Sequence, residues 1–438
     1  DYGLINSPGI ADLSLTVASV DNATMREKGI KIIGGAGEKT IPFQISADKI
    51  EFTTDEKEYV EIGYGYEEDY NNKNVEGKYA LIKRGEPDGG KILNFSDKVK
   101  NAEKKGAIGA IVYNNIDETD LTSMGGINAK IPSCFISKND GEYLKNNPNL
   151  KLQFTNSDSV MENPNSYNLS SFSSWGVTPE GNIKPDISAP GGKIYSSINN
   201  DEYTVMSGTS MATPHVAGGI AIVKEYVEKT FPNVMNAEKH SLIKNLLMST
   251  ATPREDKKTG AYMSPRGQGA GLMNLKNAIK ASVVAIGTNG VSSINLRNLN
   301  TNDIKIKGQL KNYSNYEKEF NYYADLNTDT VEGGRILLKP QKIDSTKNSK
   351  KSIIVPANGT ADFEVNFTLS DSDYEKFKAQ MPNGFFLEGF VFFENSDSDQ
   401  NISIPFVGFR GTWEKLQIIE DSIYKMSKEN KKPYFYTE

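Results

Sequence analysis

Cysteine is almost missing from this 438-residue chain; Cys134 stands alone, so no disulfide can form within it. That scarcity suits the cytosol, and it suits exported proteins that fold without disulfides equally well. Histidine is nearly as rare, with His215 and His240 the only two, so imidazole chemistry has two candidates at most. There is no run of about 18 apolar residues, which excludes a membrane-spanning helix. Positive charge is in deficit: 50 Lys and Arg against 56 Asp and Glu leave a net −6. A partner rich in phosphate would call for the opposite balance, so no nucleic acid is expected. No signal-peptide pattern is found and the chain begins at Asp1, which leads us to expect a processed chain or a piece cut from a longer one. Low-complexity tracts and internal repeats are absent too.

What is present fits a soluble multidomain protein. Hydrophobic residues make up 37% and charged residues 24%, and the length exceeds what one ordinary core holds. Leu13, Leu15, Val17 and Val20 form a short β-rich run. "GKYALIKRG" (77–85) reads as a strand, "FSDKVKNAEKKG" (95–106) as a helix with Phe95, Val99 and Ala102 at helical spacing, and "AIGAIVYNN" (107–115) as a buried strand. Residues 156–168 are rich in turn formers and read as a linker. Two helices follow. The first carries an apolar stripe of Val216, Ile220, Val223 and Val227, with Gly218, Gly219 and Ala221 small enough for close packing. The second spans about 237–249, with Leu242, Ile243, Leu246 and Leu247 inward. From about residue 290 the period changes to two. Asn358-Gly359 sits between two β runs, and Phe363, Val365, Phe367 and Leu369 share one face. A β-sandwich is expected there.

The segment that bears on chemistry is "SGTSMATPHVAGG" (207–219). A serine hydroxyl becomes a nucleophile only with a base to take its proton and donors to hold the oxyanion. A helix N-terminus supplies donors through its free N–H groups and dipole. Gly208 permits a tight turn into such a helix, and Pro214 is expected in its first turn.

"GTSMATPHVAGG", preceded by "FSSWG" (172–176) and "KPDISAPG" (184–191), resembles the nucleophile region of subtilisin-like serine proteases. Within them the chain is most similar to the cell-envelope proteinases of Gram-positive bacteria: the streptococcal anaphylatoxin-peptidase group first, lactocepin-like proteinases next. The resemblance implies a multidomain protein. An α/β subtilisin-like catalytic domain (C-terminal part only) occupies 1–46 and continues over 158–285. An α+β protease-associated domain is inserted at 47–157. An all-β fibronectin type III-like sandwich covers 286–413, and a further domain starts at 414–438. Ser210 would be the nucleophile and its own N–H an oxyanion donor.

Such proteases also need an aspartate and a histidine, in that order before the serine, and an asparagine for the oxyanion. None of the family's segments for these is present. His215 lies five residues after Ser210 in the same helix and cannot reach its hydroxyl; His240 reads as a solvated or capping residue. Asp186 reads as structural, anchoring the turn into Pro190-Gly191. The missing groups are therefore expected upstream of Asp1, and the chain alone is expected to be inactive. Acidic stretches at 67–72 and 396–401 could attract calcium, but neither has a full loop signature, and no cofactor is required. Cys134 reads as a small buried hydrophobe. The implied function is an endopeptidase of protein substrates, host defence proteins among them, exported and attached to the cell wall. Its implied partners are the substrate and the N-terminal part of the same protease. The alternative is an inactive binding or adhesion module built from the protease-associated and sandwich domains.

Overall fold

The computed structural model of the protein describes residues 5–35, 39–90, 92–116, 121, 124–155, 159–163, 165–343, 350–415 and 422–429. It divides into two compact units. One comprises Asp21–Tyr167 with Lys193–Met206; the other comprises Asp1–Val20, Asn168–Gly192 and Ser207–Glu438.

The first unit is built on a five-stranded sheet in the order Gln44–Ile45, Ser133–Ile136, Gly109–Tyr113, Tyr79–Lys83, Tyr59–Gly63. The last four strands run parallel and the first is antiparallel. Their near-continuous apolar character ("YALIK", "GAIVY", "SCFI") follows from cover on both faces. The expected helix is Phe95–Lys104, capped by the Asn94 side chain accepting from the Asp97 N–H. It buries Val99 and Ala102 and stops at Gly106, whose φ of 84° only glycine adopts freely. A second helix, Lys138–Lys145, lies against Tyr113, with Gly141 giving the close approach. Phe52 and Phe154 stack at 3.8 Å in the core between this sheet and a smaller one. Cys134 is fully buried, and burial drives its thiol pKa well above the usual range.

The linker read at 156–168 needs correction over part of its length. Ser159–Glu162 is a strand pairing antiparallel with Thr24–Glu27. Its partner lies over 130 residues away in the chain, so local turn propensity gave no sign of the pairing. Residues 156–158 and 164 of that stretch lie outside the described residues.

In the second unit the strands Val17–Asp21 and Ile187–Gly192 pair, and two helices, Thr209–Thr230 and Asn236–Ser249, pack with them. Val216, Val223, Val227, Leu242, Leu246 and Leu247 are buried as the apolar stripes imply, with Ile220 and Ile243 half-buried. Beyond them stand a three-stranded sheet (Val283–Ile286, Asp303–Asn312, Thr360–Thr368) and a six-stranded sheet centred on Lys318–Glu332, Phe385–Glu394 and Ile402–Arg410. The two share one core, where Phe363 meets Phe393 edge-on at 4.9 Å. The runs flanking Asn358-Gly359 do not form a hairpin. Lys351–Val355 pairs in the larger sheet and Thr360–Thr368 in the smaller, so this turn crosses between sheets. A helix, Asp371–Gln380, joins the later strands; its Ser370 cap accepts from the Asp373 N–H.

One polar cluster links the α/β part of this unit to its sandwich. Arg266 is buried, donating to Glu388 at 2.8 and 3.0 Å and to Asp329 at 2.6 Å. Its guanidinium lies 4.1 Å from the centre of the Phe386 ring and 5.8 Å from that of Trp175.

Candidate active site

Ser210 stands second in the helix Thr209–Thr230. The first bonds of that helix run from the Met211 and Ala212 N–H groups to the Gly208 carbonyl. The Thr209 and Ser210 N–H groups therefore precede the ladder and point out of the helix end. The preceding strand fixes this end in place. The Gly208 N–H donates to the Gly191 carbonyl at 2.8 Å. A Cβ at Gly191 would fall 2.4 Å from the Ser19 Oγ, 2.6 Å from the Gly208 carbonyl oxygen and 3.0 Å from the Ala212 Cβ. The glycine of "APG" thus lets the strand touch the root of the serine's helix. Gly191→Ala is expected to displace the Ser210 turn and cost about 1–3 kcal/mol; chemical denaturation measures this, and unchanged stability would show that the contact is slack.

Pro214 is not in the first turn. It is the sixth residue of the helix, where its missing N–H leaves the Ser210 carbonyl without the bond it would receive from position i+4. The helix also has a bare side. Ser210, Thr213, Pro214, Ala217, Gly218, Ala221 and Ile222 are all exposed, Ile222 at 47%. Among the described residues the close packing expected at Gly218 and Ala221 is not made: a Cβ at Gly218 meets nothing within 4 Å, whereas one at Gly219 would strike the Met273 sulfur at 2.6 Å. Periodicity identified a small-residue helix; it did not show which side the described residues leave open.

Neither histidine serves Ser210 in this arrangement. Five residues turn a helix about 140° off the starting direction, and His215 is exposed with its Nδ1 2.8 Å from the Met211 carbonyl oxygen. His240 is exposed on the second helix, lining a cavity of about 550 Å³ with Lys224, Lys239 and Lys244. Asp186 is fully engaged elsewhere. Its carboxylate accepts from the Thr16 N–H at 2.7 Å, from Lys184 at 2.6 Å and from Lys244 at 3.1 Å. It therefore ties the chain near Thr16 to the second helix rather than the Pro190-Gly191 turn. Burial lowers the Lys184 ammonium pKa even against the pull of Asp186. Sequence reading had no signal for this cluster, because Thr16 and Lys244 lie about 170 and 60 positions from Asp186.

The acidic stretches are occupied by their own surroundings. Asp69 accepts from the Gly65 and Tyr66 N–H groups, and Glu67 pairs with Lys104. Asp399 pairs with Lys276 and Lys280. Among the described residues no three His, Cys, Asp or Glu side chains gather where they could hold a metal.

Comparison with known proteins matches residues 4–271 to the subtilase family and residues 294–407 to an Fn3-like domain. A C5a peptidase of Streptococcus pyogenes is 36% identical over 428 residues, covering 97% of this chain and 35% of its own length. A PII-type proteinase of Lacticaseibacillus paracasei is 31% identical over 462 residues, covering 96% of this chain and 23% of its own length. The chain thus spans about a third or less of the curated relatives it matches. Among the described residues no helix is long and apolar enough to cross a membrane. With the matched region exceeding half of its length and containing the serine's helix, this chain belongs to the subtilase family.

Proposed function

We propose that the chain is the serine-bearing part of a subtilisin-like endopeptidase, exported and attached to the cell wall, that cleaves protein substrates. The observation that carries this is Ser210 itself: exposed, at the head of a helix with free N–H groups, on a face the described residues leave uncovered. In this reading the Ser210 Oγ attacks the scissile carbonyl carbon while a histidine takes its proton. The Ser210 N–H and an asparagine hold the oxyanion. Collapse expels the amine, which takes the proton from that histidine; water, giving its own proton to the histidine, then attacks the acyl group, which leaves as the acid while the serine regains a proton. The histidine, its aspartate and the asparagine come from another segment of the same protease. That segment packs on the bare side of the helix, where Ala217, Gly218 and Ala221 admit a close neighbour. The name of the streptococcal relative suggests small host defence proteins as substrates. Residues 47–157 are a protease-associated domain that shapes substrate entry and takes no part in the chemistry.

The 438 residues by themselves are expected to show no turnover of casein, since loss of a triad base costs about 10⁴- to 10⁶-fold in rate. Supplying the missing segment should restore cleavage and fluorophosphonate labelling together. Casein turnover by the chain alone would overturn the reading, because it would place a working base within these residues.

A further inference from the structure

A second surface has the marks of a peptide-binding site, and it lies in the unit that does not hold Ser210. The strands Ile194–Ser197 and Tyr203–Met206 form a hairpin, closed by the Ile198 N–H donating to the Glu202 carbonyl at 2.9 Å. Asn200 and Asp201 supply the two left-handed turn positions, with φ of 64° and 58°. An isolated two-stranded ribbon is only marginally stable in water, and among the described residues this one pairs with no third strand. Its large side chains are nevertheless exposed: Tyr203 at 61%, Met206 at 49%, Tyr195 at 45% and Ile198 at 40%.

The tyrosines stack at 5.5 Å with 23° between their planes. The Arg26 guanidinium lies 4.4 Å from the centre of the Tyr195 ring. Val160, 63% exposed, stands directly across the strand ladder from Arg26 and extends the patch. Among the described residues no carboxylate pairs with Arg26. The surface therefore offers two stacked rings, an aliphatic neighbour, a cation in their midst and open backbone edges. Only four peptide steps separate Met206 from Ser210, so the covalent chain alone holds the hairpin's end within about 14 Å of the serine.

We infer that this hairpin, with Arg26 and Val160, is an exosite that holds an extended segment of the protein substrate in which apolar or aromatic residues flank a carboxylate. Open ribbon edges accept an extended strand through backbone bonds. The stacked rings take up apolar side chains, and Arg26 pairs with the acid. This rests on the endopeptidase reading above, which supplies the reason for an extended polypeptide to lie beside the hairpin.

The test has two arms. In the complete protease, the double variant Tyr195→Ser, Tyr203→Ser should lose about tenfold in kcat/KM on β-casein, an unfolded acidic polypeptide. A short uncharged peptide should be cleaved as before, and Ser210 should be labelled by fluorophosphonate at the same rate. Arg26→Glu should also lower cleavage of β-casein, and should raise cleavage of an unfolded basic polypeptide. Equal losses on peptide and casein, or no loss on casein, would overturn the exosite. The second arm does not depend on catalysis. With p-benzoylphenylalanine in place of Tyr203, the 438-residue chain should photo-crosslink to β-casein. Crosslinks confined to the same chain, or to a second copy of it, would show that the hairpin is covered otherwise and end the proposal. Crosslinking to casein in a complete protease that fluorophosphonate fails to label would retain the exosite and reject Ser210 as nucleophile.

Discussion

Ser210→Ala in the complete protease is expected to abolish fluorophosphonate labelling and to lower kcat by about 10⁶-fold, as removal of a triad serine does elsewhere. Stability should hardly change. The helix N-cap is Gly208, with no side-chain capping bond, and the Ser210 side chain is exposed; such substitutions usually fall within about 0.5 kcal/mol. The pairing of the two measurements separates chemistry from structure. A serine that merely capped the helix would cost about 1 kcal/mol when truncated and would leave the rate intact. Labelling that survives the substitution would move the nucleophile to another residue.

Arg266→Ala should produce the largest loss of stability, about 3–5 kcal/mol, because it strands two carboxylates in a buried site. Denaturant unfolding at fixed pH measures it, and a loss below about 1 kcal/mol would mean that water reaches the cluster. The pH dependence gives an independent check. Burial, with the charge of Glu388, pushes the Asp329 carboxyl up to about 6 against the pull of Arg266. A pKa raised above the unfolded value of about 3.9 means that the folded state binds the proton more tightly. That contribution is complete below about pH 4 and is lost as pH rises through 6. The wild type should accordingly be less stable at pH 7 than at pH 5 on account of this group. Asp329→Asn should remove that part of the slope, while Arg266→Ala should steepen it, since nothing then opposes the burial. A slope unchanged by Asp329→Asn would assign the titration elsewhere.

Much of the fold was legible because it is local. The helix Phe95–Lys104 with its terminal Gly106, the strands on either side of it, and the helix Asn236–Ser249 follow from apolar spacing read over a dozen residues at a time. The alternation of Phe363, Val365 and Phe367 gave the buried face of its strand in the same way. The subtilase family was legible for a different reason: the segment 207–219 and the two preceding it keep a family's residues in a family's order.

The sequence by itself thus determined the type of the most strongly periodic elements, the serine at the head of a helix, and the scarcity of histidine. Only the tertiary structure decided which elements meet. It paired Ser159–Glu162 with Thr24–Glu27, sent the two runs beside Asn358-Gly359 to different sheets, and gathered Lys184, Asp186 and Lys244 into one buried cluster and Arg266, Asp329 and Glu388 into another. The physical reason is common to all four. Hydrogen-bond edges and buried charges are satisfied by whatever partner the folded chain brings near, and their energy depends on distance in space and on exclusion of water, neither of which leaves a period or a spacing in the sequence.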